Sequence, residues 1–153
     1  WAIASFGSLC VIASVVELAA RFSGGKANLH PSLPSSIAET FFCIANFACA
    51  SFYEEAIYRL YLPETLGAIL KDVFLKSKKW KKRAEATVQI SETLSVAAFA
   101  LSHRYLGLPS VVNAFFAGIM LRICCKKSGT LWTNTAAHFA YNMLSLVLFA
   151  HMQ

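Results

Sequence analysis

The chain has few charged residues for its length. Only 14% of its 153 residues are Asp, Glu, Lys or Arg, whereas 57% are hydrophobic. A soluble domain carries about 25% charged residues, so this chain lacks the charge to cover a water-facing surface, and we expect lipid to be its solvent. The length allows one domain, residues 1–153. Because Trp1 already lies in an apolar run, we expect the chain to be a fragment of a longer protein.

Other patterns are absent, and each absence excludes a class. The cysteines number five and include no CxxC pair, so no disulfide framework is implied. The net charge of +6 does not indicate a nucleic-acid partner, because half of the 14 basic residues fall between residues 71 and 83. Such a cluster is typical of a cytosolic loop that faces anionic lipid. The residues expected to contact lipid are Lys76, Lys78, Lys79, Lys81, Lys82 and Arg83.

Five apolar stretches are each about long enough to form a bilayer-spanning helix. They cover approximately residues 1–20, 37–62, 93–106, 110–125 and 130–151, and Pro63 is expected to stop the second. Between the second and third, apolar residues recur at the spacing of one helix face: Leu66, Ile69, Leu70, Val73 and Phe74. The predicted fold is an all-α, polytopic transmembrane helical bundle with a short amphipathic helix lying at the cytosolic interface.

The basic loops predict the orientation of this bundle. Residues 71–83 should be cytosolic, and two further crossings return the basic end of the fourth stretch to that side. The basic residues at that end are Arg122, Lys126 and Lys127, whereas the opposite side keeps only Arg21, Lys26 and Arg104. The expected location is the plasma membrane in a bacterium, or the endoplasmic reticulum in a eukaryote.

Ionisable and amide side chains fall within three of the apolar stretches. A charged group at membrane depth costs about 2.5–3.5 kcal/mol, so these groups must face one another or a wet cavity. They are Glu54, Glu55 and Arg59 in the second stretch, His103 in the third, and His138 and Asn142 in the fifth.

The spacing of these residues predicts which of them share a helix face. Glu55 and Arg59 are four residues apart with the acid first, which is the favourable order for an ion pair within a helix. Glu54 points about 100° away from Glu55 and is free for another partner. His138 and Asn142 also project from one face, and Asn134 extends the same polar stripe.

Three motifs, in this order along the chain, resemble those of the CAAX protease and bacteriocin-processing family (CPBP or Abi), which includes the Ras-converting CAAX endopeptidases. They are EEAIYR at residues 54–59, FALSH at 99–103 and HFAYN at 138–142. The spacing from Phe115 to Gly118 also fits, though weakly. The resemblance covers about residues 45–145, and the long basic insertion between the first two motifs departs from it.

The resemblance implies hydrolysis of a peptide bond within the membrane, in a membrane-anchored or lipidated substrate or a small peptide precursor. By analogy, Glu54 is the general base that activates water and His103 helps to hold that water. His138 and Asn142 would donate hydrogen bonds to the oxyanion. Glu55 and Arg59 would form a supporting ion pair. No cofactor is favoured.

Three alternatives remain open at this level. Glu54, His103 and His138 are residue types that bind zinc, although no HExxH motif is present and Asn is a poor zinc ligand. A catalytically silent relative would keep the same residues as an immunity or scaffold protein. A proton-coupled carrier would use them as a relay, but carriers usually contain repeated halves, and no repeat is visible here.

The depth of His103 is a difficulty for this site. If the third helix entered the membrane at Ala84, His103 would lie near the far side, away from Glu54. Glu85, Gln89 and Glu92 are polar, however, so the membrane portion is expected to start near Thr93, which places His103 about 15 Å deep. A second helix that runs past Pro63 would likewise move Glu54 toward mid-depth.

Overall fold

Six α-helices make up most of the computed structural model, which describes residues 1–24, 32–75 and 84–151. They are α1 (Ala2–Ser23), α2 (Ile37–Glu55), α3 (Leu62–Leu75), α4 (Ala84–Ser102), α5 (Leu108–Ser128) and α6 (Leu131–His151). A π-helical segment, Ala56–Tyr61, joins α2 to α3, and a short 3₁₀-helix, Arg104–Leu106, precedes α5. These described ranges contain no strand, so the predicted all-α fold is confirmed.

Local signals set the ends of the helices. The Ser36 hydroxyl accepts a hydrogen bond from the backbone N–H of Glu39 at 3.2 Å and caps the start of α2. The Glu39 carboxylate in turn accepts from the Ser35 N–H at 2.7 Å. Gly24 and Gly129 follow α1 and α5 with φ of 73° and 68°, a left-handed conformation that glycine adopts without steric cost.

The helix that begins at Ile37 continues through the π-helical segment to Leu75, so the stop expected near Pro63 is wrong. In an α-helix the N–H of residue 63 would bond the carbonyl of Arg59, but proline has no N–H and its ring crowds that carbonyl. The backbone widens here, and the N–H of Leu62 bonds the carbonyl of Ile57, five residues back. The widened turn therefore carries the helix past a residue that normally ends one.

Helix α3 carries the apolar face that the sequence predicts, and it packs along α4. A Cβ on Gly67 would lie 3.5 Å from the Ser91 hydroxyl, so the two backbones approach closely. Ile69 and Val73 remain exposed. The continuous helix from Ile37 to Leu75 is on the order of 55 Å long, well beyond a hydrocarbon core of about 30 Å. The basic cluster at residues 76–83, predicted to bind anionic lipid, lies outside the described residues.

Helices α1, α5 and α6 pack together at one side of the bundle, and α4 packs between α3 and α5. Leu9, Ala117 and Leu121 form one buried apolar cluster, and Phe99, Ala100 and Ala114 form another. Much of the remaining apolar surface is exposed, including Ile3 at 88% and Phe22 at 87%. Outward-facing apolar side chains are expected where lipid replaces water.

Two helices in the described ranges are long and apolar enough to cross a membrane by length and composition: Ala2–Ser23 and Leu108–Ser128. The second, third and fifth apolar stretches carry the ionisable and amide residues.

Helix α4 begins at Ala84 and ends at Ser102, four residues before the predicted end at Leu106. His103 therefore lies at the turn between α4 and the 3₁₀-helix.

Candidate active site

Glu55 lies at the centre of the polar interior. Its side chain is fully buried, and Arg59 Nε lies 3.2 Å from its Oε2 atom, so the ion pair that the four-residue spacing predicts is present. The amide of Asn134 on α6 donates to the same oxygen at 3.0 Å. His138 Nδ1 lies 3.0 Å from the other oxygen, Oε1. One carboxylate thus joins the end of α2 to the π-helical segment and to α6.

His138 lies between the two adjacent glutamates. Its Nδ1 atom faces Glu55, and its Nε2 atom lies 3.7 Å from Glu54 Oε2. Because a carboxylate only accepts hydrogen bonds, Nδ1 carries a proton, and in the neutral ring Nε2 is then an acceptor that faces Glu54. Glu54 Oε2 is buried and has no hydrogen-bond partner among the described residues, although 28% of the side chain is exposed.

Asn142 lies one turn further along α6. Its Nδ2 atom donates to the hydroxyl of Ser51 at 3.3 Å, and Ser51 is fully buried one turn before Glu54 and Glu55 on α2. An amide nitrogen carries two N–H donors, so within the described part of the chain one donor remains for another acceptor. The structure therefore brings Glu54, His138 and Asn142 to the same face between α2 and α6.

His103 and His138 both pack edge-on against the ring of Phe99. The rings of Phe99 and His103 have centroids 4.8 Å apart, and those of Phe99 and His138 are 6.0 Å apart. The Nδ1 atom of His103 lies 2.9 Å from the Phe99 carbonyl oxygen and 3.2 Å from the Ser102 hydroxyl. In the described part of the chain, His103 therefore reaches the other three predicted residues only through Phe99.

Phe99 also contacts the buried guanidinium of Arg59. The Arg59 Cζ atom lies 4.3 Å from the centroid of the Phe99 ring, in cation–π geometry. Tyr58 packs edge-on against the same ring at 5.3 Å. Phe99 is 2% exposed, so its position is fixed by groups from the π-helical segment, from α4 and from α6.

Some residues of this interior were not singled out from the sequence. Ser51 carried no signal, because an isolated serine in an apolar stretch is common. Asn134 was noted only as part of a stripe, yet it donates both to Glu55 and, at 2.6 Å, to the Leu121 carbonyl. The sequence predicts Arg122 only as a cytosolic flanking charge, but its guanidinium lies 2.9 Å from Glu92 and donates to the Arg59 carbonyl at 2.6 Å.

The zinc alternative requires Glu54, His103 and His138 to converge. Within residues 1–24, 32–75 and 84–151, no group of three His, Cys, Asp or Glu side chains is placed to hold a metal ion. His138 and His103 each use only Nδ1, toward Glu55 and the Phe99 carbonyl, so their Nε2 atoms are not blocked as ligands. In the described arrangement, however, Glu54, His103 and His138 do not converge on one point as a tetrahedral zinc site requires.

The described helices bury the Glu55 carboxylate, the His138 imidazole and the Asn134 amide, while many large apolar side chains face outward. This arrangement is typical of a membrane protein with a polar interior site. The family model described as type II CAAX prenyl endopeptidase Rce1-like matches residues 36–144. The chain belongs to this family, as the three motifs indicate. No curated protein and no solved structure matches the chain at a significant level.

Proposed function

We propose that the protein is an intramembrane endopeptidase in which Glu54 activates water for attack on a peptide bond. The observation that carries the proposal is the placement of His138 between Glu55, at 3.0 Å, and Glu54, at 3.7 Å. Membership of the Rce1-like family supports a protease. We further propose that the chain crosses the membrane several times and acts on a CAAX-type, membrane-anchored prenylated substrate, or on a small peptide precursor.

In the proposed reaction Glu54 Oε2 accepts a proton as the water oxygen attacks the carbonyl carbon of the substrate. That oxygen atom is buried and has no hydrogen-bond partner among the described residues, so no existing bond must break first. When the C–N bond breaks, the proton passes from Glu54 to the departing amine nitrogen.

The developing oxyanion needs donors in a site that excludes bulk water. The second N–H of Asn142 can take this role, because among the described residues Asn142 donates only to Ser51. His138 donates from Nε2 only when that atom carries a proton. Glu54 can transfer the proton taken from water to Nε2, and this proton returns to Glu54 before it passes to the departing amine. His103, which packs against Phe99, is proposed to help hold the water.

The test is cleavage of membrane-tethered peptides by purified, reconstituted protein. We expect Glu54→Ala and His138→Ala each to lower the cleavage rate by about 10²–10³-fold. Glu17→Ala is a matched control, because Glu17 is an exposed carboxylate on α1 that pairs only with Arg21 in the described structure. Equal cleavage by wild type, Glu54→Ala and His138→Ala would remove the peptidase proposal.

Metal dependence is tested in the same assay by full removal of divalent ions with a chelator. The metal-free mechanism predicts undiminished cleavage after chelation. Loss of cleavage that returns on addition of Zn²⁺ would contradict it and would require Glu54, His103 and His138 to come together in the working enzyme.

A further inference from the structure

The backbone carbonyl of Arg59 has lost its usual partner. Pro63 occupies the position whose N–H would reach this carbonyl in an α-helix, and proline has no N–H. Arg59 lies within the π-helical segment Ala56–Tyr61 and is 2% exposed. A buried carbonyl without a partner is costly, so a side-chain donor that replaces the N–H absent from Pro63 stabilises this turn.

Arg122 on α5 is that donor. Its Nη1 atom lies 2.6 Å from the Arg59 carbonyl oxygen. Its Nη2 atom forms an ion pair with Glu92 on α4 at 2.9 Å, and Lys126 approaches the same carboxylate at 3.1 Å. The guanidinium is therefore held at one end by a carboxylate and bonds the π-helical segment at the other.

Leu121, the residue before Arg122, contacts the α6 side of the same polar interior. The Leu121 carbonyl accepts from Asn134 Nδ2 at 2.6 Å, and that nitrogen also donates to Glu55 at 3.0 Å. Two consecutive residues of α5 thus hold the turn that follows Glu54 and Glu55 and the α6 amide that binds Glu55.

We propose that Arg122, anchored by Glu92, is a positioning residue that sets the rotation of Glu54 and Glu55 by replacing the missing N–H of Pro63. It touches neither substrate nor the reacting atoms. This inference rests on the proposed function for its kinetic consequence. Its structural consequence, the rigidity of residues 56–62, is independent of whether the protein cleaves peptides.

The experiment is a double-mutant cycle in the full chain between Arg122→Gln and Pro63→Ala. Alanine at position 63 restores a backbone N–H that can bond the Arg59 carbonyl, so it makes the Arg122 donor redundant. We expect Arg122→Gln alone to lower kcat about 10-fold with KM nearly unchanged, since displaced catalytic groups lose rate rather than binding. In the Pro63→Ala background the same change should cost about threefold or less.

Hydrogen–deuterium exchange of residues 56–62 provides a readout that needs no activity. Arg122→Gln should accelerate exchange in this segment, and Pro63→Ala should reverse the acceleration. Lys126→Gln is the matched control, because Lys126 shares Glu92 but does not bond the Arg59 carbonyl. Exchange of residues 56–62 in this variant should match wild type. Arg122→Lys, which keeps the charge, replaces Arg122→Gln if the latter does not fold.

The outcomes separate the two proposals. A wild-type protein that cleaves nothing defeats the proposed function, whereas the exchange data still decide the role of Arg122. Unchanged exchange in Arg122→Gln defeats the positioning role. An equal loss of kcat from Arg122→Gln with and without the Pro63→Ala change would also overturn it, because Arg122 would then act only through Glu92.

Discussion

Glu54 and Glu55 are chemically identical neighbours in different surroundings. The Glu55 side chain is fully buried and binds Arg59, Asn134 and His138, so each of its oxygens is engaged. Glu54 keeps one buried oxygen without a hydrogen-bond partner in the described structure and exposes part of its side chain. Because consecutive helical residues point about 100° apart, one position supplies a fixed anion and the next supplies a carboxylate that is free to accept a proton.

The first residue-scale prediction concerns the buried ion pair. Glu55→Gln leaves the Arg59 guanidinium buried without its counter-charge, and breaking a buried pair typically costs about 3–5 kcal/mol. We therefore expect a markedly lower thermal unfolding midpoint in detergent micelles. The measurement is a melting curve followed by circular dichroism at constant detergent and protein concentration.

The chain contains a matched control for this change. Glu17 and Arg21 on α1 have the same four-residue spacing. However, 38% of the Glu17 side chain and 59% of the Arg21 side chain are exposed. Exposed pairs contribute about 0–1 kcal/mol, so Glu17→Gln should leave the midpoint almost unchanged. Equal midpoints for Glu55→Gln and Glu17→Gln would contradict the prediction, because the buried Glu55–Arg59 pair would then stabilise the protein no more than the exposed pair.

The residue scale also shows what the sequence can predict. The Glu55–Arg59 pair follows from spacing alone, because helix geometry fixes which side chains on one helix meet. The bond from His138 to Glu55 does not follow, since it depends on how α2 and α6 are rotated toward each other. For the same reason Ser51 became visible as the partner of Asn142 only in the structure.

At the scale of elements, the close packing of α4 and α5 fixes Phe99. A Cβ on Gly118 would lie 3.1 Å from the Phe99 ring and 3.3 Å from Val96. The ring has little freedom to move, because Arg59 and the two histidines lie against it. Gly118 therefore sets the distance between α4 and α5 at the level of the candidate site.

We predict that Gly118→Ala destabilises the protein and lowers cleavage, since overpacking a filled interior typically costs about 1–3 kcal/mol. Gly7→Ala is the matched control, because Gly7 lies within α1 and a Cβ added there would meet nothing within 4 Å. That change should be neutral or stabilising by about 0.5–1 kcal/mol, since alanine favours helix. Unfolding midpoints and cleavage rates of both variants check the prediction, and a Gly118→Ala protein as stable as Gly7→Ala would contradict it.

The helix boundaries show where reasoning from local signals fails. Pro63 is a strong helix breaker in isolation, yet the helix continues to Leu75. The compensation comes from a π-helical turn and from Arg122, which lies 63 residues from Arg59, the residue whose carbonyl it bonds. No local window of sequence contains that information, whereas the ends at Gly24 and Gly129 follow from the glycines themselves.

At the scale of the whole molecule, contacts between helix ends indicate an alternating path. The Cys124 thiol near the end of α5 lies 3.8 Å from the Trp1 carbonyl, and Lys126 pairs with Glu92 in the first half of α4. The start of α1, the first half of α4 and the end of α5 therefore lie at one end of the bundle. If each long helix crosses the membrane, residues 71 and 127 share one side, and residues 35 and 104 share the other.

This path predicts which helix ends share a side of the membrane, and the basic residues predict which side is cytosolic. Lysine and arginine favour the cytosolic side, and Lys71, Lys126 and Lys127 fall at the end that holds the start of α1 if each long helix crosses. In a background with the five native cysteines changed to alanine, a single cysteine at Lys71 or Lys127 should react with an impermeant maleimide only from the cytosolic face. Cysteines at Ser35 or Arg104 should react only from the opposite face, because all four positions are exposed.

A cysteine at Leu18 is the control for lipid exposure, since this residue is 57% exposed but lies inside an apolar helix. It should react from neither face in intact vesicles, because a maleimide of this kind does not enter hydrocarbon. Labelling of the Lys71 and Lys127 positions from different faces would mean that α4 and α5 do not both cross. Because Glu92 on α4 and Arg122 on α5 must stay paired, that result would also require a different arrangement of the candidate active site.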